Sequence, residues 1–207
     1  MRNHYNNALG FIETVGMVPA VYATDTMLKA AGVDLVSYEN VGSTLVAVMI
    51  SGDVGAVKAS MEAGANAAAE IGKLTAQNVL PRPAVEVNKI AKIYDVEADE
   101  NSNVKYAALG LLEAFGIVFV MQAVDAMIKA AAVRLIGFEN VASGYISVVI
   151  EGDVAACKSA VEAGVNAVNE LGAEVYSHVV IPSPHKDLYK ILERYALPED
   201  SNNEETP

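Results

Sequence analysis

Residues 52–64 read GDVGAVKASMEAG, and one hundred positions later residues 152–164 read GDVAACKSAVEAG. A match this close states that two segments share one structure, so it decides the fold before any element is assigned. The likeness extends outward from it. Ala8, Leu9 and Gly10 recur as Ala108, Leu109 and Gly110, and Glu13 and Gly16 as Glu113 and Gly116. Asp25, Met27 and Lys29 recur as Asp125, Met127 and Lys129, and Glu39-Asn40-Val41 as Glu139-Asn140-Val141. Past Gly72 a single inserted residue sets Val79-Leu80-Pro81-Arg82-Pro83 against Val180-Ile181-Pro182-Ser183-Pro184. The unit is too long for a solenoid repeat and large enough to hold its own core. The expected domains are residues 1–94 and 106–197, with a polar linker at 95–105 and a disordered acidic tail at 198–207.

Within one unit the pattern predicts strand, helix, strand, strand, helix, strand and a short terminal helix. Residues 8–14 form a short apolar run stopped by Gly16, and residues 18–31 carry a helix with Pro19 in its first turn and Gly32 as its closing residue. Residues 33–40 and 45–50 are β-rich runs around a glycine-bearing hairpin turn at 41–44. Asp53 is placed to cap a second helix reaching Gly72, whose Ala and Gly surface suits close approach to a sheet. A last strand at 74–80 ends at Pro81 and Pro83; Val87, Ile90, Ala91 and Tyr94 then give one face to a terminal helix, as do Leu188, Ile191, Leu192 and Tyr195. This order is α+β and ferredoxin-like, twice in tandem.

Composition narrows the function. The 207 residues carry 14 Lys+Arg against 26 Asp+Glu, a net charge of -12 that argues against a nucleic-acid backbone as partner. With 53% hydrophobic and only 19% charged residues, each domain alone leaves much apolar surface wet, so burial between subunits or in a membrane is required. The window 106–124 is long and apolar enough to span a bilayer, but its copy at 8–23 is broken by Glu13, Thr14 and Pro19. If the two share a structure, neither spans. The polar start and the single Cys157 fit a soluble, cytoplasmic protein without a signal peptide.

Catalytic groups are sparse. His4, His178 and His185 have no metal-ligand spacing, and no Cys-x-x-Cys, P-loop or dinucleotide fingerprint occurs. Cys157 reads as a small buried hydrophobe, and Met17, Met27, Met121 and Met127 as core. The duplicated acids Glu13/Glu113, Glu62/Glu162 and Glu70/Glu170 lack a visible acid–base partner. The expectation is a protein without catalysis, cofactor or metal.

The runs ALGFIET (8–14), DTMLKAAGVDL (25–35), YENVGST (38–44), GDVGAVKASMEAG (52–64) and VLPRP (79–83) together resemble a bacterial microcompartment shell domain. ALGLLEAFG (108–116), DAMIKAAAVRL (125–135), FENVASG (138–144), GDVAACKSAVEAG (152–164) and VIPSPH (180–185) resemble a second, in the unpermuted order. The resemblance implies a homotrimer that mimics the hexagonal tile of single-domain relatives, meets other shell proteins at its edges, and passes small polar metabolites through a central pore. It implies that Asn40, Val41, Gly42, Ser43 and Thr44, with Asn140, Val141, Ala142, Ser143 and Gly144, line that pore. It makes Lys29, Lys129, Arg82 and His185 tile-edge contacts.

This chain departs from the family pattern in three ways. Asn40 and Asn140 stand where single-domain relatives often carry Lys, so the rim is neutral. The turn cysteine that holds an iron–sulfur cluster in some tandem relatives is absent. The edge arginine becomes Ser183 in repeat two, and the histidine becomes Ala84 in repeat one, so the two tile edges are unequal. A rival reading from another class is a ferredoxin-like trimer that binds a ligand or catalyses a reaction between its repeats.

Overall fold

The computed structural model describes residues 7–84, 87 and 107–197. The linker, the tail and, Val87 aside, the terminal helix expected in repeat one lie outside these residues. Repeat one runs β1 (Ala8–Val15), α1 (Met17–Ala30), β2 (Val33–Gly42), β3 (Leu45–Gly52), α2 (Val54–Ile71) and β4 (Lys73–Leu80). Repeat two runs β5 (Ala108–Phe115), α3 (Ile117–Ala130), β6 (Arg134–Ala142), β7 (Tyr145–Gly152), α4 (Val154–Glu170) and β8 (Val175–Ile181). It closes with a 3-10 turn at Lys186–Leu188, a one-turn helix α5 (Tyr189–Leu192) and a second 3-10 turn at Glu193–Tyr195.

Both sheets are four-stranded and antiparallel, ordered β2-β3-β1-β4 and β6-β7-β5-β8. That is the ferredoxin-like order, in which the first and third strands are central and both helices cover one face. The apolar window 106–124 divides into β5, Gly116 and the first half of α3. No helix among the described residues is long and apolar enough to cross a membrane.

Two glycines per repeat let the helices sit close. A Cβ on Gly10 would overlap Met61 and Val57 of α2, and one on Gly64 would overlap Met27 of α1 and touch Ile12 of β1. Gly164 repeats the second contact against Met127 and Leu112. Gly32 does not close α1 in a left-handed conformation: Ala31 is already extended at φ -156°, and the Val33 N–H donates to the Ala31 carbonyl at 2.9 Å. A β-strand starting at once leaves no room for a left-handed cap. Asp153 caps α4, its carboxylate accepting from Ala156 N at 2.8 Å, whereas Asp53 occupies the same position with no side-chain cap bond.

Burial is where the repeats part company. The first turns of α1 are covered by repeat two, and Met17, Val18, Val21 and Leu28 are buried. Their counterparts on α3 face outward: Ile117, Val118, Met121 and Ile128 are exposed, Val118 at 69% against 0% for Val18. Met121 is therefore a surface residue, not core, while Met17, Met27 and Met127 are buried as expected. One hydrophobic cluster crosses the repeats, joining Ile12, Val21 and Tyr38 to Leu111, Val149 and Leu192.

Replacing Gly64 or Gly164 by Ala tests the close packing. Helix propensity alone favours Ala by about 1 kcal/mol, but crowding Met27 or Met127 costs about 1–3 kcal/mol. Each variant should be less stable in urea denaturation, and the loss should shrink when Gly64→Ala is combined with Met27→Val.

Candidate functional site

The two hairpin tips are built on strained backbone. Gly42, Ser43 and Thr44 have φ of 96°, 51° and 65°, and Ala142, Ser143 and Gly144 have 78°, 52° and 86°. Successive left-handed residues give a turn whose twist matches a right-twisted hairpin. A side chain there costs about 1–2 kcal/mol per residue. Asn40 Oδ1 accepts from Gly42 N, and Asn140 Oδ1 from Ala142 N, each at 3.1 Å, so each asparagine shapes its own turn.

The tips touch one another. The Asn40 side chain hydrogen-bonds the Glu139 carboxylate; burial pushes that carboxyl up, and the Asn40 bond opposes the shift. Glu39 is held by Arg194, whose Nη1 donates to it at 3.2 Å and to the Tyr38 carbonyl at 2.8 Å. Ser43, Ser143 and Gly144 are exposed, while Thr44 is buried with its hydroxyl bonded to the Ser43 carbonyl. Val41 is half-exposed, but Val141 is fully buried in the cluster shared with repeat one. A buried side chain lines no opening, so Val141 leaves the set of rim side chains.

The tip of repeat one is tied to the joint between repeats. Gly16 N donates to the Thr44 carbonyl at 2.8 Å, and α1 begins at the next residue. There Glu113, on β5 of repeat two, is fully buried. Its Oε2 accepts from Met17 N at 2.8 Å, Val18 N at 3.1 Å and Ser147 Oγ at 2.7 Å. A carboxylate at a helix N-terminus answers both the unpaired N–H groups and the dipole. Burial nevertheless raises its pKa, with the Ser147, Val18 and Met17 bonds opposing. Oε1 has no hydrogen-bond partner among the described residues. It rests against Gly16, where any Cβ would collide with it. A proton on Oε1 leaves all three bonds to Oε2 in place.

With that geometry in view, known proteins supply the family. A model of the BMC domain matches residues 8–83 and again residues 108–184. The chain belongs to the BMC domain family. A carboxysome assembly protein, CcmO of Synechococcus elongatus, is 33% identical over 202 residues, covering 96% of this chain and 71% of its own. The bacterial microcompartment shell protein PduA of Citrobacter freundii is 53% identical over 83 residues, 40% of this chain and 89% of its own. A solved microcompartment protein from Desulfitobacterium hafniense is 32% identical, covering 89% of this chain and 98% of its own, with a TM-score of 0.40.

Of the four residues expected at tile edges, the BMC-domain chain brings two together, Lys29 and His185, through Asp25. Lys29 Nζ pairs with Asp25 Oδ2 at 2.5 Å, and Asp25 Oδ1 accepts from His185 N at 2.7 Å. Burial lowers the His185 pKa, and the nearby Asp187 and Asp25 carboxylates oppose. In the other repeat Lys129 pairs only with its own Asp125 at 2.6 Å, both exposed, and Arg82 stands apart and exposed. Glu62, Glu70, Glu162 and Glu170 lie on solvent faces of α2 and α4. Cys157 is buried, its thiol donating to the Ala108 carbonyl at 3.6 Å, and burial raises its pKa. Among the described residues no group of three or more His, Cys, Asp or Glu is placed to hold a metal.

Sequence reasoning notes Glu113 as a duplicated acid without an acid–base partner and misses its structural role as a helix cap. Its signal was the recurrence of Glu three residues before a glycine and a helix, at Glu13 and Glu113 alike.

Two outcomes are expected here. Gly42→Ala meets no atom within 4 Å, so it isolates backbone strain and should cost about 1 kcal/mol, while Ala142→Gly should gain a similar amount in thermal unfolding. Because the folded pKa of Glu113 is raised, the folded chain binds more protons than the unfolded one, and stability falls as pH rises. Glu113→Gln cannot titrate. The wild type should therefore gain on this variant as pH drops from about 7 to about 5, approaching the unfolded carboxylate pKa near 4.3. Urea midpoints at both pH values measure it.

Proposed function

We propose that this chain is a structural shell protein of a bacterial microcompartment, assembling as a homotrimer of six BMC domains around one axis. One observation carries the reading. The face of α1 that repeat two covers is bare on α3, with Ile117, Val118, Met121 and Ile128 exposed. A surface of this kind marks an interface. The surface that fits it is already present on repeat one of another copy, because repeat one carries the elements that in repeat two cover α1. Such a head-to-tail contact closes a ring when its rotation permits, and six domains is the number the family resemblance implies.

In that ring the hairpin tips gather at the axis. Asn40, Ser43, Asn140 and Ser143 then rim a pore, shaped by Gly42, Thr44, Ala142 and Gly144. Amides and hydroxyls replace part of a polar solute's hydration shell without binding one sign of charge tightly, which suits small polar metabolites. The unlike turns make the rim threefold, not sixfold. Lys29, Lys129, Arg82 and His185 lie at tile edges against other shell proteins. The rival reading, a ligand or catalytic site between the repeats, finds its buried acid already committed: Glu113 is engaged as a helix cap.

The mass in solution should be that of a trimer, and the protein should grow flat sheets. Lys29→Ala with Lys129→Ala should abolish sheets and keep trimers; sheets that persist would overturn the edge assignment. Asn40→Lys with Asn140→Lys should shift bilayer conductance toward anions, and an unchanged ion preference would remove these residues from the constriction.

A further inference from the structure

The ring just proposed needs a second kind of joint, between copies, and the chain contains the acid that would close it. We infer that Glu13 caps α3 of the neighbouring copy as Glu113 caps α1 within the chain, accepting from the N–H groups of Ile117 and Val118; this rests on the ring reading.

Glu13 occupies the same place in β1 that Glu113 occupies in β5: it faces Ala47 across the sheet as Glu113 faces Ser147. Ala47 has no hydroxyl to orient the acid. A different hydroxyl does so: Thr75 Oγ1 on β4 donates to Glu13 Oε1 at 2.7 Å, and the carbonyl of Glu13 lies 2.9 Å from the same oxygen. Oε2 has no partner among the described residues. Glu13 is thus held in position by Thr75, with Oε2 open among the described residues. On the receiving side, α3 starts at Ile117 and no acceptor for its first N–H groups stands among the described residues, as expected of a helix start without a cap. Gly116 keeps the same conformation as Gly16, with φ 97° against 91°. A Cβ on Gly16 would strike the Glu113 carboxylate, whereas one on Gly116 would meet only the Phe119 ring, so the cradle is built in both repeats and, among the described residues, filled in one.

Other contacts at the internal joint have open counterparts. Asp25 is buried and takes the His185 N–H, while Asp125 is exposed and stands where the Ala84 N–H of a neighbour would reach. Val141 is buried against repeat one, and Val41 is exposed. The two joints are not equal, however. Ser177 Oγ donates to the Ile71 carbonyl at 2.8 Å and Tyr176 OH to the Val15 carbonyl at 3.3 Å. Their counterparts are Ala76, which has no hydroxyl, and Thr75, which already serves Glu13. The joint between copies therefore opens before the joint inside the chain.

The test is a double-mutant cycle on trimer association, followed by sedimentation over a concentration series with circular dichroism as the folding control. Glu13→Ala should weaken association about ten- to a hundredfold per joint, the loss of hydrogen bonds to a charged acceptor. Ile117→Pro deletes one receiving N–H at the first helical position, where proline is tolerated. Glu13→Gln keeps an acceptor oxygen and should retain most of the association. The Ala and Pro variants should be strongly coupled, the second adding little once the first is made. Losses that simply multiply, or a Gln variant as weak as the Ala variant, would overturn the cap while leaving a wild-type trimer intact. A wild type that stays monomeric would overturn the ring itself.

Discussion

A buried carboxylate at the start of a helix belonging to the other repeat is the constraint that the rest of the molecule obeys. Glu113 binds the first two N–H groups of α1. A charge removed from water is tolerated only when its hydrogen bonds are supplied by neighbours. The neighbours here are fixed by other demands: Gly16 must lack a side chain, and its N–H is bonded to Thr44 at the hairpin tip. The acid therefore sets where α1 begins, how repeat two lies on repeat one, and where the tip of repeat one ends. The joint and the tip are thus linked through the Gly16 N–H and the Thr44 carbonyl.

Duplication explains the composition that looked excessive for a small domain. Two related sequences carry similar apolar helix faces, and inside one chain only α1 finds a cover among the described residues. The bare face of α3 is the other half of the same design, which is why a chain with 19% charged residues exposes Val118 and Met121. The same sequence position is core in one repeat and surface in the other, so its energetic role is decided by what lies beside it.

Much of the fold was legible because the repeat supplied a control on every assignment. Short apolar and β-rich runs gave the strands, Gly16 marked the end of the first, and Pro19 and Asp53 marked helix starts where the structure has them. What failed did so for local reasons. Gly32 resembles a closing residue, but an immediate strand forces Ala31 to be extended. Asp53 and Asp153 share the setting Gly-Asp-Val and only one makes its cap bond. Met121 was misplaced because helical periodicity reports which residues share a face, not whether a neighbouring repeat covers it, and Val141, placed at the rim by the family resemblance, is buried by such a neighbour. Glu113 is visible in sequence as a duplicated acid, but its capping role stays hidden until the partner helix is known. The strain at Ser43, Thr44, Ala142 and Ser143 is invisible in sequence, since only Gly42 and Gly144 advertise it.

The unequal hydroxyls have a consequence for assembly. An internal joint between repeats of one chain is held by tethering as well as by contact, so it forms even if its contacts are modest. Yet it is this joint that carries Ser147, Tyr176 and Ser177, while repeat one offers Ala47, Thr75 and Ala76 at the matching positions. The extra bonds thus strengthen the contact that needs them least. Contacts between copies, having no tether, respond to concentration by mass action. In the proposed ring, such a chain keeps its two repeats together by their tether and leaves association between copies to respond to protein concentration. Fixing the repeats also preserves the joint-to-tip link through Gly16 within each chain, so the tip of repeat one is shaped without a neighbouring copy.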